Sequence, residues 1–135
     1  MLASNSTFRM QDESRIAGNK ASAGGAAWIG AQYYGSGKLE MTGGFMSGNT
    51  ADIGAGLCLD TSNAITQIEN GVIYDADASA DLANNGPKGS EVALYILYSG
   101  VASYGTFDNA GNFTQTDKLP STVENTINVV NGQLK

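Results

Sequence analysis

Phe45-Met46-Ser47-Gly48-Asn49-Thr50-Ala51 is the second occurrence of a pattern that first runs Arg15-Ile16-Ala17-Gly18-Asn19-Lys20-Ala21. The two are separated by 49 − 19 = 30 residues, and the offset holds outward to Trp28 and Cys58. Self-similarity at a period of about 20–50 residues is the mark of a stacked architecture, in which each unit buries its apolar face only against its neighbours. A position in one unit then lies over the same position in the next.

Within each unit the pattern is that of short strands and tight corners. Phe8-Arg9-Met10 and Leu39-Glu40-Met41 alternate apolar and polar residues, as a strand with one buried face does. Gln11 to Ser14 reads as a polar turn, and Gly43-Gly44 as the turn before a further strand at Phe45-Met46. Gly18-Asn19 and Gly48-Asn49 are corners. Gly24-Gly25 leads into Ala26-Ala27-Trp28-Ile29, and Gly54-Ala55-Gly56 into Leu57-Cys58-Leu59.

A third, looser unit follows. Ile68 to Ile73 falls on Met41 to Met46 with a shift of 68 − 41 = 27, and Leu94-Tyr95-Ile96 falls on Leu57-Cys58-Leu59 with a shift of 95 − 58 = 37. The extra ten residues fall in the polar stretch 75–90, which reads as a surface loop with room for one helical turn. The last strand of each unit orients the stack. Its columns are Ala27/Leu57/Leu94, Trp28/Cys58/Tyr95 and Ile29/Leu59/Ile96. The outer two are aliphatic and face the core, so the middle one points to the opposite face. Matching residues in register imply parallel strands with a spacing of about 4.8 Å.

Beyond Ile96 the pattern decays. Tyr104 to Phe107 fits a strand of a fourth unit, 108–117 reads as a polar loop, and Asn131-Gly132 is a two-residue hairpin signal. An irregular polar last unit is the expected form of a cap, which covers a strand edge and the apolar side chains behind it. The N-terminal end shows no such cap and reads as a face from which earlier units are missing.

The composition excludes several roles. Among 135 residues the net charge is −6, with two Arg and five Lys scattered along the chain. Nucleic-acid binding through a basic stripe is set aside, as is a basic face for an anionic membrane. Gly numbers 18, about twice the roughly 7% of average usage. No apolar run approaches the roughly 20 residues of a membrane-spanning helix, and the first residues carry no basic and apolar export signal. Cys58 is the only cysteine, so no internal disulfide exists. With no His in the chain to activate it, it reads as a packed thiol.

The strings Met41 to Ala51, Gly24 to Ile29 and Ala93-Leu94-Tyr95-Ile96 resemble the right-handed parallel β-helix repeat of bacterial cell-surface proteins, including spirochaete surface proteins and the polymorphic outer-membrane family. That repeat reads like F-T-M-S-G-G-x-I-S-G-N-T-A followed by G-G-A-V-Y-V. The resemblance covers about residues 6–96, and 125–134 is similar to the C-terminal ends of such chains. The first unit has one extra residue in its turn, and the third carries the insertion. The resemblance implies an exported, repeat-built exterior protein and no single shared activity.

Three places carry candidate chemistry. Asp75, Asp77, Ser79 and Asp81 put oxygen ligands at alternate positions, as the start of an EF-hand-type calcium loop does. Its sixth position, normally Gly, is Ala80, and its twelfth, normally Glu, is Gly86, so a solvated acidic loop is the competing reading. Trp28 and Tyr95 share a column, with Tyr33 and Tyr34 in the loop beside it. Such aromatics stack on sugar rings or anchor a protein partner when exposed, and otherwise shield the sheet beneath loops. Asn19 and Asn49 occupy equivalent corners, where amides hydrogen-bond along the stack. Glu40 and Glu69 form no column, and no nucleophile with a base stands out.

These readings converge on an all-β chain: a right-handed parallel β-helix, or solenoid, of three to four coils with an irregular C-terminal cap. The coils run over 6–32, 37–61 and 62–98, with the terminal coil and cap over 99–135, in one domain of a longer protein. Handedness rests on the resemblance and on the rule for parallel crossovers. The expected core is Phe8, Met10, Ile16, Ile29, Leu39, Met41, Met46, Leu57, Leu59, Ile73, Leu94 and Ile96. The expected role is a non-catalytic scaffold or adhesin segment at a bacterial surface, without cofactor. Its partners would be preceding coils and a host protein or glycan contacted through Trp28, Tyr33, Tyr34 and Tyr95. The alternative is a carbohydrate-binding or polysaccharide-degrading β-helix whose active coils lie upstream.

Overall fold

The computed structural model describes residues 6–30, 37–87 and 92–135. Strands are the only regular elements among them. The first unit holds β1 (Thr7–Met10), β2 (Arg15–Ala17), β3 (Lys20–Ala23) and β4 (Ala27–Ile29). The second holds β5 (Lys38–Ser47), β6 (Thr50–Ile53) and β7 (Leu57–Leu59), and the third β8 (Ile65–Ile73) and β9 (Leu94–Ile96). After these come β10 (Val101–Phe107), β11 (Phe113–Lys118), β12 (Thr122–Val123), β13 (Ile127–Val130) and β14 (Gln133–Leu134).

Each of the first two units places strands in all three sheets. In the largest, β1 and β2 pair parallel with β5, β5 with β8, and β8 with β10. A second sheet runs β4–β7–β9 in parallel, and a third pairs β3 with β6. The registers join equivalent residues: Ile16 with Met46, Ala21 with Ala51, and Trp28 with Cys58. The shifts of 27 and 37 hold too, since Met41 lies beside Ile68 and Cys58 beside Tyr95.

The inward columns of the two larger sheets meet in one cluster. Leu39, Met41, Met46, Ile68 and Ile73 on one side pack with Ile29, Leu57, Leu59 and Leu94 on the other. All are essentially inaccessible to solvent. Burying a side chain of this size contributes about 1.5–3 kcal/mol, which makes this cluster the main stabilising element.

Several expectations change. Phe8 sits in the Leu39 column but is 38% exposed, because no strand covers β1 on its other side among the described residues. Ile16, in β2, which pairs only with β5 among the described residues, is partly buried, as is Ile96, while Ile68, Ala102, Ile127 and Val129 join the core. Gly43-Gly44 is not a turn. The chain runs straight through as β5, and the ladder to β8 slips between Met41 and Phe45. Gly44 adopts φ +98, so the pair makes a bulge that lets one long strand serve β1 and β2 in succession.

The C-terminal part reverses direction. β11 pairs antiparallel with β10, β12 with β9, and β13 with both β8 and β14. The polar stretch after Phe107 is therefore a hairpin rather than a loop. Asp108 accepts the backbone N–H groups of Ala110 and Asn112 at its tip. Those bonds, Asn112's foremost, hold its carboxyl below the usual carboxylate range. Asn131-Gly132 turns β13 into β14 with φ +49 and +70, as its sequence predicts.

On the outward face of the largest sheet, Glu40 takes ion pairs from Arg9 and from Lys38, the latter at 2.7 Å. Burial raises its pKa, but the hydrogen bonds and charges of Lys38 and Arg9 outweigh burial and leave it below the ordinary value of 4.5. A carboxyl whose folded pKa is depressed stabilises the fold above its unfolded pKa and loses that contribution as pH falls through the folded one. Glu40→Gln is expected to lower the urea midpoint at neutral pH and to reduce the further loss on acidification below about pH 4.5. Superimposable pH profiles for parent and variant would show that the ion pairs do not feel folding.

Candidate functional site

Trp28, Cys58 and Tyr95 lie side by side on β4, β7 and β9. A Cβ placed on Gly30 would lie 2.4–2.9 Å from the Trp28 ring, so the ring lies across that glycine. Its Nε1 donates to Asp60 Oδ2 at 3.1 Å. Trp28 and Tyr95 are both half-buried. Tyr33 and Tyr34, the other two aromatics expected here, fall outside the described residues.

Cys58 is fully buried between them. Burial, and then the nearby Asp60 carboxylate, push its thiol up to about 12. At pH 8 it is therefore a protonated, enclosed thiol. An aromatic disulfide reagent is expected to leave it unmodified in the folded chain and to react fully once the chain is unfolded in denaturant. Prompt reaction in native buffer would contradict this packing.

The acidic loop also forms no open ligand set. Asp75 is 8% exposed, and its carboxylate is committed to backbone N–H donors. Oδ1 accepts from Asp77 and Ala78 at 3.0 and 2.9 Å, and Oδ2 accepts from Thr126 at 2.9 Å. Asp77, Ser79 and Asp81 point to solvent. The Ser79 carbonyl takes N–H bonds from Leu82 and Ala83, closing a single helix-like turn. Among the described residues no group of three His, Cys, Asp or Glu is arranged to hold a metal ion. Asp75 thus ties the insertion to the segment that leads into β13.

The asparagine corner is more extensive than two residues. Asn49 Oδ1 accepts from both the N–H and the Nδ2 of Asn19, at 3.1 and 3.0 Å. Asn84 Oδ1 accepts from the same two atoms of Asn49, both at 3.0 Å. Asn49 and Asn84 are fully buried, and Asn19 is exposed. Each lower amide also donates to a carbonyl of the unit above: Asn49 Nδ2 to Ile16 O, and Asn84 Nδ2 to Met46 O. Asn84 is the rung that the sequence reading missed. Its shift is 84 − 49 = 35, so eight of the ten extra residues precede it, and the Asn84-Asn85 pair was the available signal.

Two of the depressions on the surface of the described residues bear on the candidate sites. One, of about 610 Å³, opens on the first unit and is lined by Ile16, Asn19, Ala21 and the stretch 23–28. The other, of about 340 Å³, lies between the acidic loop and the outward face of the largest sheet. There Arg15 Nε donates to Ser47 Oγ at 2.9 Å, beside Glu13, Phe45 and Tyr74. No helix among the described residues is long and apolar enough to cross a membrane. No known protein family, no curated protein and no solved structure matches this chain.

Proposed function

We propose that this chain is a segment of a right-handed parallel β-helix and serves as a non-catalytic scaffold on the exterior of a bacterial cell. The observation that carries this reading is the register. Three successive units place like residues side by side in parallel, as in Ala27/Leu57/Leu94 and Asn19/Asn49/Asn84. Such stacking grows by repetition and suits reach and display of a lateral surface for adhesion or host contact. The resemblance of Met41 to Ala51 and of Gly24 to Ile29 to surface β-helix repeats supports the exterior setting. The acidic and thiol groups with candidate chemistry support it as well. Glu40 is spent on ion pairs, Asp75 on backbone donors and Cys58 on packing.

A second reading, carbohydrate recognition, is favoured by one feature: Trp28 borders the larger depression. A glycan array separates the two. The scaffold reading expects no glycan retained by the chain at micromolar concentration. A defined glycan bound by the chain and lost on Trp28→Ala would replace it with the second reading.

A further inference from the structure

Among the described residues the depression on the first unit is open on one side, and its exposure is systematic. Ala21 is exposed where its partner Ala51 is buried, and Ile16 is half-exposed where Met46 is buried. Among the described residues, β1, β2, β3 and β4 each pair on one side only. The asparagine column says what is missing. At Asn49 and Asn84 the Oδ1 receives two donors from the asparagine above, and the Nδ2 reaches a carbonyl of that unit. Asn19 Oδ1 accepts no hydrogen bond among the described residues, and Asn19 Nδ2 reaches only Ala17 O beside Asn49 Oδ1.

We propose that this face docks one further unit of the same repeat, laid parallel over β1 to β4, whose corner asparagine donates its N–H and Nδ2 to Asn19 Oδ1. The inference rests on the β-helix reading and names the partner that the reading requires at this end. The column is polar, with donors above and acceptors below, and that polarity selects the occupant. A second copy related by a two-fold axis would run antiparallel and present the same acceptor side to Asn19. A second copy stacked head to tail would offer its far end, where β11, β12 and β13 are antiparallel. Only a preceding unit of the same sense supplies the donors.

The register defines the test. Thr7, Lys38 and Ile65 are equivalent, and so are Ser6, Gly37 and Ala64. A copy of residues 38–64 placed directly ahead of Thr7 in the otherwise complete chain therefore adds one matched unit. Amide exchange in β2 and β3 is expected to slow by roughly tenfold, the effect of about one gained hydrogen bond per residue. Asn49→Ala made in the added copy alone is expected to remove most of that protection. Unchanged exchange in β2 and β3, an added copy that stays protease-sensitive, or collapse of the extended chain would overturn the proposal. So would a parent chain that runs as a dimer with β2 and β3 already protected. Protection of Leu39, Met41 and Met46 is read in parallel. If those amides are slow while β2 and β3 are unaffected, docking fails and the stacked fold stands; if they too are fast, the stacked fold itself fails.

Discussion

Asn49→Ala is expected to lower unfolding stability by about 3 kcal/mol, the result of orphaning buried polar groups at about 1–3 kcal/mol each. The side chain is wholly buried and fills its hydrogen-bonding capacity. Its two Nδ2 hydrogens are shared among Ile16 O, Ser47 O and Asn84 Oδ1, and its Oδ1 accepts twice from Asn19. Alanine leaves the Ser47 carbonyl and part of the Asn84 amide without partners in a place closed to water. The Asn19 groups, being exposed, recover hydrogen bonds from solvent, so Asn19→Ala is expected to lose about 1 kcal/mol or less. Urea titration measures both. A drop under about 0.5 kcal/mol for Asn49→Ala would mean that the amide column is ornamental, since ordinary surface changes fall in that range. A changed slope of the titration would point instead to an altered unfolded or native compactness.

The contrast between those two positions explains what the sequence discloses and what it hides. Stacked positions face themselves, so one requirement writes similar residues at a fixed spacing. That is why the Ile16/Met46, Ala21/Ala51 and Met41/Ile68 pairs were legible from the chain alone. Facing is not burial, however. Phe8 points as Leu39 does, yet it sits in the outermost strand and stays exposed. The bulge at Gly43-Gly44 was unreadable because paired glycines serve a turn and a bulge equally well, and only the partners β2 and β8 decide. β11 was hidden for another reason. Its residues Thr114 to Lys118 are all exposed, so no apolar alternation marks them, and the strand exists because β10 offers an edge. The orientation of Trp28 was hidden in the same way: the ring is turned down onto Gly30 with a bond to Asp60 thirty-two residues away, beyond any local pattern.

Gly56→Ala is expected to be as damaging as the loss of Asn49, although the change adds a single methyl group. A Cβ at this position would lie 2.3 Å from Ala93 O and 2.8 Å from Ile73 Cγ2. The oxygen cannot move aside freely, because it accepts the Leu57 N–H at 2.8 Å, one of the bonds that holds β7 against β9. The new methyl must therefore separate the second and third units or break that bond. Overpacking typically costs about 1–3 kcal/mol and a hydrogen bond about 1 kcal/mol, giving roughly 2–4 kcal/mol in all. Gly18→Ala provides the control. Its Cβ would meet nothing within 4 Å, and only the φ of +71 opposes it. That strain is about 1 kcal/mol, so the order of urea midpoints should be parent, then Gly18→Ala, then Gly56→Ala. Gly25 lies between these extremes. Its Cβ would also come within 2.3 Å of a backbone oxygen, that of Ala55, but among the described residues no strand pairs with the first unit from above to hold it in place. Gly25→Ala should therefore be milder in the parent chain. It should approach Gly56→Ala in severity once an added unit clamps the first from the other side. Equal stability of Gly56→Ala and the parent would refute the close approach of the two backbones, and with it the spacing on which the stacked registers depend.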